Sequence, residues 1–261
     1  MKQFLLSKEP DTDGVIQIDG DDYHYLVRVR RLAEREFFTA RLPNGEETQI
    51  KILSIKSKIL TGKCIIQEDL TQKNTEEGRT VPPIILLQAL PKGDKMDLIV
   101  RQAAEGGITK IVPFVSEFSA AKTLSAESQK FSRWEKIIKE ARQQSGSRIS
   151  TSLHKPLTIN ELFEFWKELK NEGALGLLFH HQGLEQESLH SYLYKEPKKA
   201  VLAIGPEGGF SGREVTLFLE NGFKPLTIGD TILRTETAAL YCAAAIRILL
   251  LEKNTWELKQ T

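Results

Sequence analysis

The chain has 261 residues, 40% of them hydrophobic and 27% charged, a balance that excludes a disordered polymer and accommodates one large or two modest globular domains. Its 36 Lys and Arg offset 35 Asp and Glu, so net charge marks no polyanionic partner and any nucleic-acid surface has to be a local patch. No apolar run approaches the roughly 20 residues of a membrane-spanning helix, the opening MKQFLLSKEPD lacks the apolar stretch of a signal peptide, and Cys64 and Cys242 stand far apart without a metal-ligand pattern. The expectation is a cytoplasmic protein with reduced cysteines, no membrane segment and no metal.

From Met1 to about Leu70 the sequence offers short strand-like runs at Gly14–Ile18, Phe37–Leu42, Gln49–Ile55 and Gly62–Gln67, with Asn44-Gly45 as a hairpin signal. After the first run, Asp21 or Asp22 can cap a short helix. His24, Arg28, Arg31 and Arg35 then fall at i, i+4, i+7 and i+11 on one face, with Tyr25, Val29 and Leu32 on another, facing the domain core. Such a basic stripe reads either as an RNA-binding face or as a solvated one. Thr71–Thr80 contains no apolar residue and is followed by Pro82-Pro83. These features predict a small β domain over residues 1–72, a linker over 73–83 and a second domain over 84–261.

Beyond the linker, apolar runs alternate with helical patterns. The runs are Ile84–Ala89, Ile111–Val115, Ala174–Phe179, Ala200–Ile204 and Pro225–Ile228. Helices are predicted from Asp94 to Gly106-Gly107, over Phe131–Gln144, over Gly212–Asn221 behind a Ser211/Glu214 capping box, and over Glu236–Glu252. Trp134, Ile137, Ile138 and Ala141 have core spacing. The alternation argues for a parallel sheet with crossover helices.

Two loops carry the chemistry. In Ala203-Ile204-Gly205-Pro206-Glu207-Gly208-Gly209-Phe210-Ser211 a buried-looking strand ends in three glycines before a capped helix, where a ligand can approach the backbone beyond the strand ends. A side chain at Gly208 is expected to enter the ligand's path. The pattern is neither a P-loop nor a dinucleotide fingerprint, and a tight turn is the structural alternative. The second loop, Thr227-Ile228-Gly229-Asp230-Thr231-Ile232-Leu233-Arg234-Thr235-Glu236-Thr237-Ala238, brings a cation, a carboxylate and a helix start together. An Arg234–Glu surface pair with a Thr235 cap is its alternative.

Together these loops resemble the two C-terminal motifs of the RsmE family of the SPOUT superfamily. The likeness continues in Lys92-Gly93-Asp94-Lys95-Met96-Asp97, Ile111-Val112-Pro113-Phe114, Arg133-Trp134-Glu135-Lys136 and His24-Tyr25-Leu26-Val27-Arg28-Val29. The resemblance implies an α/β protein: an N-terminal PUA-like β-barrel, then a SPOUT-type domain whose C-terminus threads a trefoil knot, assembled as a homodimer. It implies S-adenosylmethionine as cofactor and uridine N3 of 16S ribosomal RNA in the small subunit as target. Cofactor contacts would come from Phe179 and His180, from Ile204, Gly205, Pro206, Glu207, Gly208 and Gly209, and from Ile228, Gly229, Ile232, Leu233, Arg234, Thr237 and Ala238. A uridine N3 must lose a proton before it attacks. Arg234 is therefore the candidate cation, with Glu207 and Glu236 candidate proton acceptors or orienting groups. RNA contacts would involve His24, Arg28, Arg31 and Arg35, with Lys92, Lys95 and Arg101 extending the track, as Arg133, Arg142 and Arg148 could. Family members usually carry Glu-Leu-Gly at Glu105-Gly106-Gly107, Arg at Phe118 and Glu at Gln143. Methylation of another ribosomal or transfer RNA nucleotide, or a non-catalytic RNA-binding assembly role, are the alternatives.

Overall fold

A computed structural model describes residues 3–65, 81–119, 127–181 and 183–256. The chain divides into two compact units, Met1–Gly78 with Arg142–Arg148, and Arg79–Ala141 with Ile149–Thr261. Residues 73–80 of the expected linker, and Ile66 and Gln67 of the fourth expected strand, lie outside the described residues.

In the first unit the expected strands form as β2 (Val15–Ile18), β3 (Phe37–Arg41), β4 (Glu47–Lys56) and β5 (Ile59–Ile65), joined by a two-residue β1 (Phe4–Leu5). Their order is β1-β3-β4-β5-β2, antiparallel throughout except for the β1–β3 pair. The β3–β4 hairpin turns at Asn44-Gly45, with Gly45 at φ +92°, where a side chain would be strained. Alternate residues Phe38 and Ala40, Ile50 and Ile52, and Ile16 and Ile18 fill the core with Phe4, Leu26 and Leu60. Arg41 is only 4% exposed. It donates to Gln3 Oε1 (2.6 Å), Gly45 O (2.6 Å) and Glu47 Oε2 (2.8 Å), so its charge is paired and hydrogen-bonded as burial demands. Gln3 in turn donates through Nε2 to the carbonyls of Arg142 (3.0 Å) and Ser147 (3.1 Å), which fixes the Arg142–Arg148 segment to this unit.

The basic helix departs from its expected form. α1 (Gly20–Tyr23) is one turn with Asp19 at its N-cap; neither Asp21 nor Asp22 caps it, both lying in the first turn. His24–Val29 then winds as a π-helix, in which Arg30 N donates to Tyr25 O at 2.9 Å, an i to i+5 bond. The wider winding shifts the inward position: Leu26 is fully buried while Val29 is 59% exposed. Arg31 and Arg35 follow the helix in left-handed conformations, at φ +57° and +73°. The four basic residues therefore do not share one helical face, although all four are exposed.

The second unit is a parallel sheet of order β11-β9-β10-β6-β7-β8. Its elements are β6 (Ile84–Ala89), α2 (Lys95–Glu105), β7 (Lys110–Phe114), α3 (Glu127–Ser145), β8 (Ser152–Leu153), α4 (Ile159–Asn171), β9 (Ala174–Phe179), α5 (Leu189–Tyr194), β10 (Lys199–Ile204), α6 (Gly212–Glu220), β11 (Lys224–Leu226) and α7 (Thr235–Trp256). Every pairing is parallel, and the sheet is buried on both faces, which is why its central strands read as unbroken apolar runs. On one face Ile84 and Leu86 pack with Ile99, Trp134, Leu193 and Ile246. On the other Ile85 and Leu87 pack with Leu162, Trp166, Phe218 and Phe223.

The sequence reading omitted β8, α4 and α5, although α4 opens on a complete Thr158/Glu161 capping box. The Ser211/Glu214 box of α6 forms as expected. Asp94 holds the N-cap position of α2 without a side-chain capping bond. Asp97, one turn in, accepts instead from Trp134 Nε1 (3.1 Å) and from the Arg133 guanidinium.

Candidate functional site

The carboxyl ends of β9, β10 and β11 open into one cavity of about 440 Å³, inside the size range of small-molecule sites and at the end of a parallel sheet where such sites form. Three loops wall it. His180, just past β9, donates its backbone N–H to Leu226 O (3.2 Å) and accepts from Thr227 Oγ1 (2.9 Å) through its carbonyl. The loop after β9 and the loop after β11 are thereby fastened together.

The glycine turn after β10 is tight for identifiable reasons. Gly209 N donates to Pro206 O at 2.9 Å, and Gly209 sits at φ +70°. A Cβ on Gly205 would lie 3.1 Å from Gly209 C, 3.2 Å from Gly209 Cα and 3.3 Å from Phe210 N, all backbone atoms of the turn itself. Gly208 behaves otherwise than expected. The first obstacle to a Cβ there is Phe118, whose own Cβ would lie 3.1 Å away. Phe118, 46% exposed, rides on a loop that is closely held. Ser116 N donates to Ser119 Oγ (3.0 Å), while Ser116 Oγ and Glu117 N both donate to the buried Glu214 (3.1 and 2.9 Å).

Glu207 does not pair with Arg234. Its carboxylate accepts from Lys95 Nζ (2.6 Å) and from Lys92 N (3.1 and 3.2 Å). Partial burial alone would raise its pKa, but the hydrogen bonds from Lys95, its own backbone and Lys92, with the Lys95 charge, hold it below the usual carboxylate range. Glu207 is thus a fixed anion that tethers the turn to the segment before α2, and Lys95 is committed to it. Arg234 lines the cavity and is exposed, and among the described residues it forms no ion pair with Glu207 or Glu236.

α7 divides the second loop's residues by helical geometry. Thr235, Ala238 and Cys242, at i, i+3 and i+7, face the cavity, and burial pushes the Cys242 thiol up to about 12. Glu236 and Thr237, with Gly229, do not line it; Glu236 keeps a buried Oε2 without a hydrogen-bond partner. The other expected cofactor residues, Phe179, His180, Ile204, Gly205, Pro206, Glu207, Gly208, Gly209, Ile228, Ile232 and Leu233, all reach the cavity wall. The sequence reading missed His181, Phe210, Leu226, Thr227, Thr231, Thr235 and Cys242 as lining residues. It also missed Gln88, fully buried at the end of β6, whose Nε2 donates to Thr235 Oγ1 at 3.0 Å.

The sequence matches the RNA methyltransferase domain family over residues 79–247. It is 32% identical, over 90% of this chain and 94% of the relative, to ribosomal RNA small subunit methyltransferase E of Aquifex aeolicus. To the protein of the same name from Synechocystis it is 30% identical, over 95% and 78%. The chain belongs to the ribosomal RNA small subunit methyltransferase E family. A family member from Neisseria gonorrhoeae, crystallised bound to S-adenosyl methionine, shares the fold at a TM-score of 0.80 and 22% identity, covering 95% of this chain and 98% of that one.

Of the expected RNA contacts outside the basic helix, two are committed to ion pairs. Lys92 and Arg101 are exposed on the second unit, whereas Lys95 pairs with Glu207 and Arg133 with Asp97. Arg142 is partly buried in the first unit, its burial lowering its pKa. Gln143 is 8% exposed, so the change from the family's usual Glu concerns an interior position. Among the described residues no helix is long and apolar enough to cross a membrane, and no three His, Cys, Asp or Glu side chains gather as a metal-ligand set.

Proposed function

We propose that the chain transfers a methyl group from S-adenosylmethionine to N3 of a uridine in 16S ribosomal RNA of the small subunit. The observation that carries this reading is the three-loop cavity with Arg234 on its wall, in no ion pair among the described residues. Family membership supplies the substrate class. The cavity suits the cofactor: Ile204, Leu226, Ile228 and Leu233 offer apolar surface for an adenine, and Gly205, Gly208 and Gly209 bring backbone without side chains to the wall. The bound cofactor supplies an electrophilic methyl on a sulfonium.

The protein's own part is alignment and charge. Uridine N3 gives up its proton, and the electron pair left on nitrogen takes the methyl in line as the carbon–sulfur bond breaks. The Arg234 guanidinium stabilises the negative charge that spreads over the uracil carbonyls. Glu207, already engaged by two donors and held in its anionic form, anchors the turn. Glu236 does not line the cavity, so neither carboxylate stands free at its wall, and the N3 proton passes to water.

We assign the first unit, with exposed His24, Arg28, Arg31 and Arg35, to RNA binding as a PUA-like domain, separated from the catalytic domain near residues 73–83. The second unit is read as a SPOUT domain with a C-terminal trefoil knot, a reading supported by the sheet order, in which the last strand, β11, pairs with β9. Its homodimer would use the groove between α2 and α7. There Leu240 (38%) and Ile248 (52%) are exposed, and Gln102 Oε1 is buried without a partner. We place the protein in the cytoplasm.

The test is calorimetric binding of S-adenosylmethionine, followed by tritiated methyl transfer to small subunits from a strain lacking the gene. Mass mapping of the modified nucleotide completes it. Label at N3 of a single uridine is expected; cofactor binding without transfer to any RNA would leave a non-catalytic assembly role.

A further inference from the structure

Strand β6 reads Ile-Ile-Leu-Leu-Gln-Ala, and every residue of it is buried. Gln88 is the one polar side chain in that run. An amide is costly to bury, so its bonds matter. Nε2 donates to Ala89 O (2.9 Å) and Thr235 Oγ1 (3.0 Å), and Thr235 Oγ1 lies 2.7 Å from Gly205 O. A threonine hydroxyl has one proton, and only donation satisfies the Gly205 carbonyl, so Thr235 must accept from Gln88. That fixes the amide orientation and leaves Gln88 Oε1 buried with no hydrogen-bond partner.

The three groups meet where the chain changes direction. Gln88 is the partner of Ile204 in the β6–β10 register; Gly205 starts the glycine turn; Thr235 starts α7, directly after Arg234. Nothing else among the described hydrogen bonds joins Gly205 to α7. We propose, building on the methyltransferase reading, that Gln88 and Thr235 are positioning residues: a hydrogen-bonded clamp that sets the glycine turn and the Arg234 backbone relative to one another and so shapes the cofactor cavity. An unpartnered acceptor in the core is a stability cost. Its position beside the cavity fits a role in placing these loops rather than in stability.

Thr235→Val removes donor and acceptor at nearly constant volume, Gln88→Leu removes the donor together with the orphan oxygen, and Thr235→Ser keeps the hydroxyl. Calorimetry with S-adenosylmethionine and melting curves are measured on each variant, the Gln88→Leu/Thr235→Val double variant and the wild type. The clamp predicts at least a tenfold weaker Kd for Thr235→Val, several-fold for Gln88→Leu, no further loss in the double variant and a value within twofold of wild type for Thr235→Ser. Gln88→Leu should keep or raise its Tm while losing affinity, which a merely structural residue would not do. Affinity within twofold of wild type in Thr235→Val or Gln88→Leu, additive losses, or losses that track Tm overturn the clamp alone. Failure of the wild type to bind the cofactor overturns the cofactor reading and the clamp with it. Should Thr235→Val not fold, the Gln88→Leu pair of measurements decides.

Discussion

Gly205→Ala tests the glycine turn most directly, because the obstacle its methyl meets is backbone. The added Cβ would stand 3.1–3.3 Å from Gly209 C, Gly209 Cα and Phe210 N, several tenths of an ångström inside ordinary carbon contact. Those atoms cannot rotate away, since Gly209 is held to Pro206 O and Phe210 is buried against Phe114 and Phe218. The turn has to open, at a cost of about 1–3 kcal/mol, the range for inserting a methyl into a packed site. If the opening is borne in the bound state, cofactor affinity falls by about fivefold to 150-fold. Gly208→Ala is the contrast. Its methyl meets Phe118, 3.1 Å from Cβ and 3.4 Å from the ring, so the strain falls on the Phe118 loop rather than on the glycine turn, and the loss of cofactor affinity should be several-fold smaller. Gly212, at the first position of α6 with nothing within 4 Å of a Cβ, is the internal control; Gly212→Ala should gain about 0.4–1 kcal/mol through the unfolded chain. Calorimetric Kd and denaturant midpoints on the three variants give the ordering. Equal cofactor affinity in Gly205→Ala and Gly208→Ala would refute the argument.

Other expectations follow from the same geometry. Arg234→Ala should lower single-turnover methylation by two to three powers of ten, as when one oxyanion donor is lost, with partial recovery at high pH and only partial rescue by Arg234→Lys; a rate within a few-fold of wild type removes Arg234 from the mechanism. Arg28→Ala with Arg31→Ala should weaken RNA binding and flatten its dependence on salt, and an unchanged salt slope would make these side chains solvent face. Because the folded pKa of Glu207 lies below its unfolded value, its bond to Lys95 contributes fully above the unfolded pKa near 4.5 and is lost as pH falls through the folded one. Melting curves from pH 6 to 3 should therefore show a smaller acid loss in Glu207→Gln than in wild type, and identical slopes would count against the tether. Cys242, with its thiol near 12, should resist iodoacetamide at pH 8, where about one thiol in ten thousand is ionised; rapid labelling read by mass spectrometry would contradict its burial.

Much of the second unit was legible because its signals are local and repeated. Buried parallel strands give apolar runs, and Ser211 with Glu214 or Gly106 with Gly107 mark helix ends within four residues. What failed depended on partners distant in sequence. β8 has two residues and exists only through pairing with β7; α4 is the exception, since its Thr158/Glu161 capping box is a local signal. The basic helix was read at a regular period, and the π-helical winding moved Leu26 inward and put Arg31 and Arg35 beyond the helix end. Glu207 offers a sharper case. Proximity in motif suggested Arg234 as its partner, yet Lys95, more than a hundred residues earlier, reaches it because β6 and β10 are neighbours in the sheet.

The same sheet neighbourhood explains why Gln88 escaped notice. A lone glutamine in an apolar strand carries no motif, and its meaning lies in the adjacency of β6, β10 and the start of α7. That adjacency also gives α7 two separate duties. Thr235, Ala238 and Cys242 line the cavity, while Leu240, Ala243, Arg247 and Ile248 line the groove against α2. A substitution on the first face should change cofactor affinity, and one on the second should change self-association. Tyr241, 52% exposed and lining neither the cavity nor the groove, separates the two: Tyr241→Ser should leave cofactor affinity unaltered. Ile248→Glu should shift sedimentation towards monomer at unchanged cofactor affinity in the isolated chain. If instead Ile248→Glu abolishes cofactor binding while the protein stays folded, the two faces of α7 are not independent, and the cavity depends on assembly for its shape.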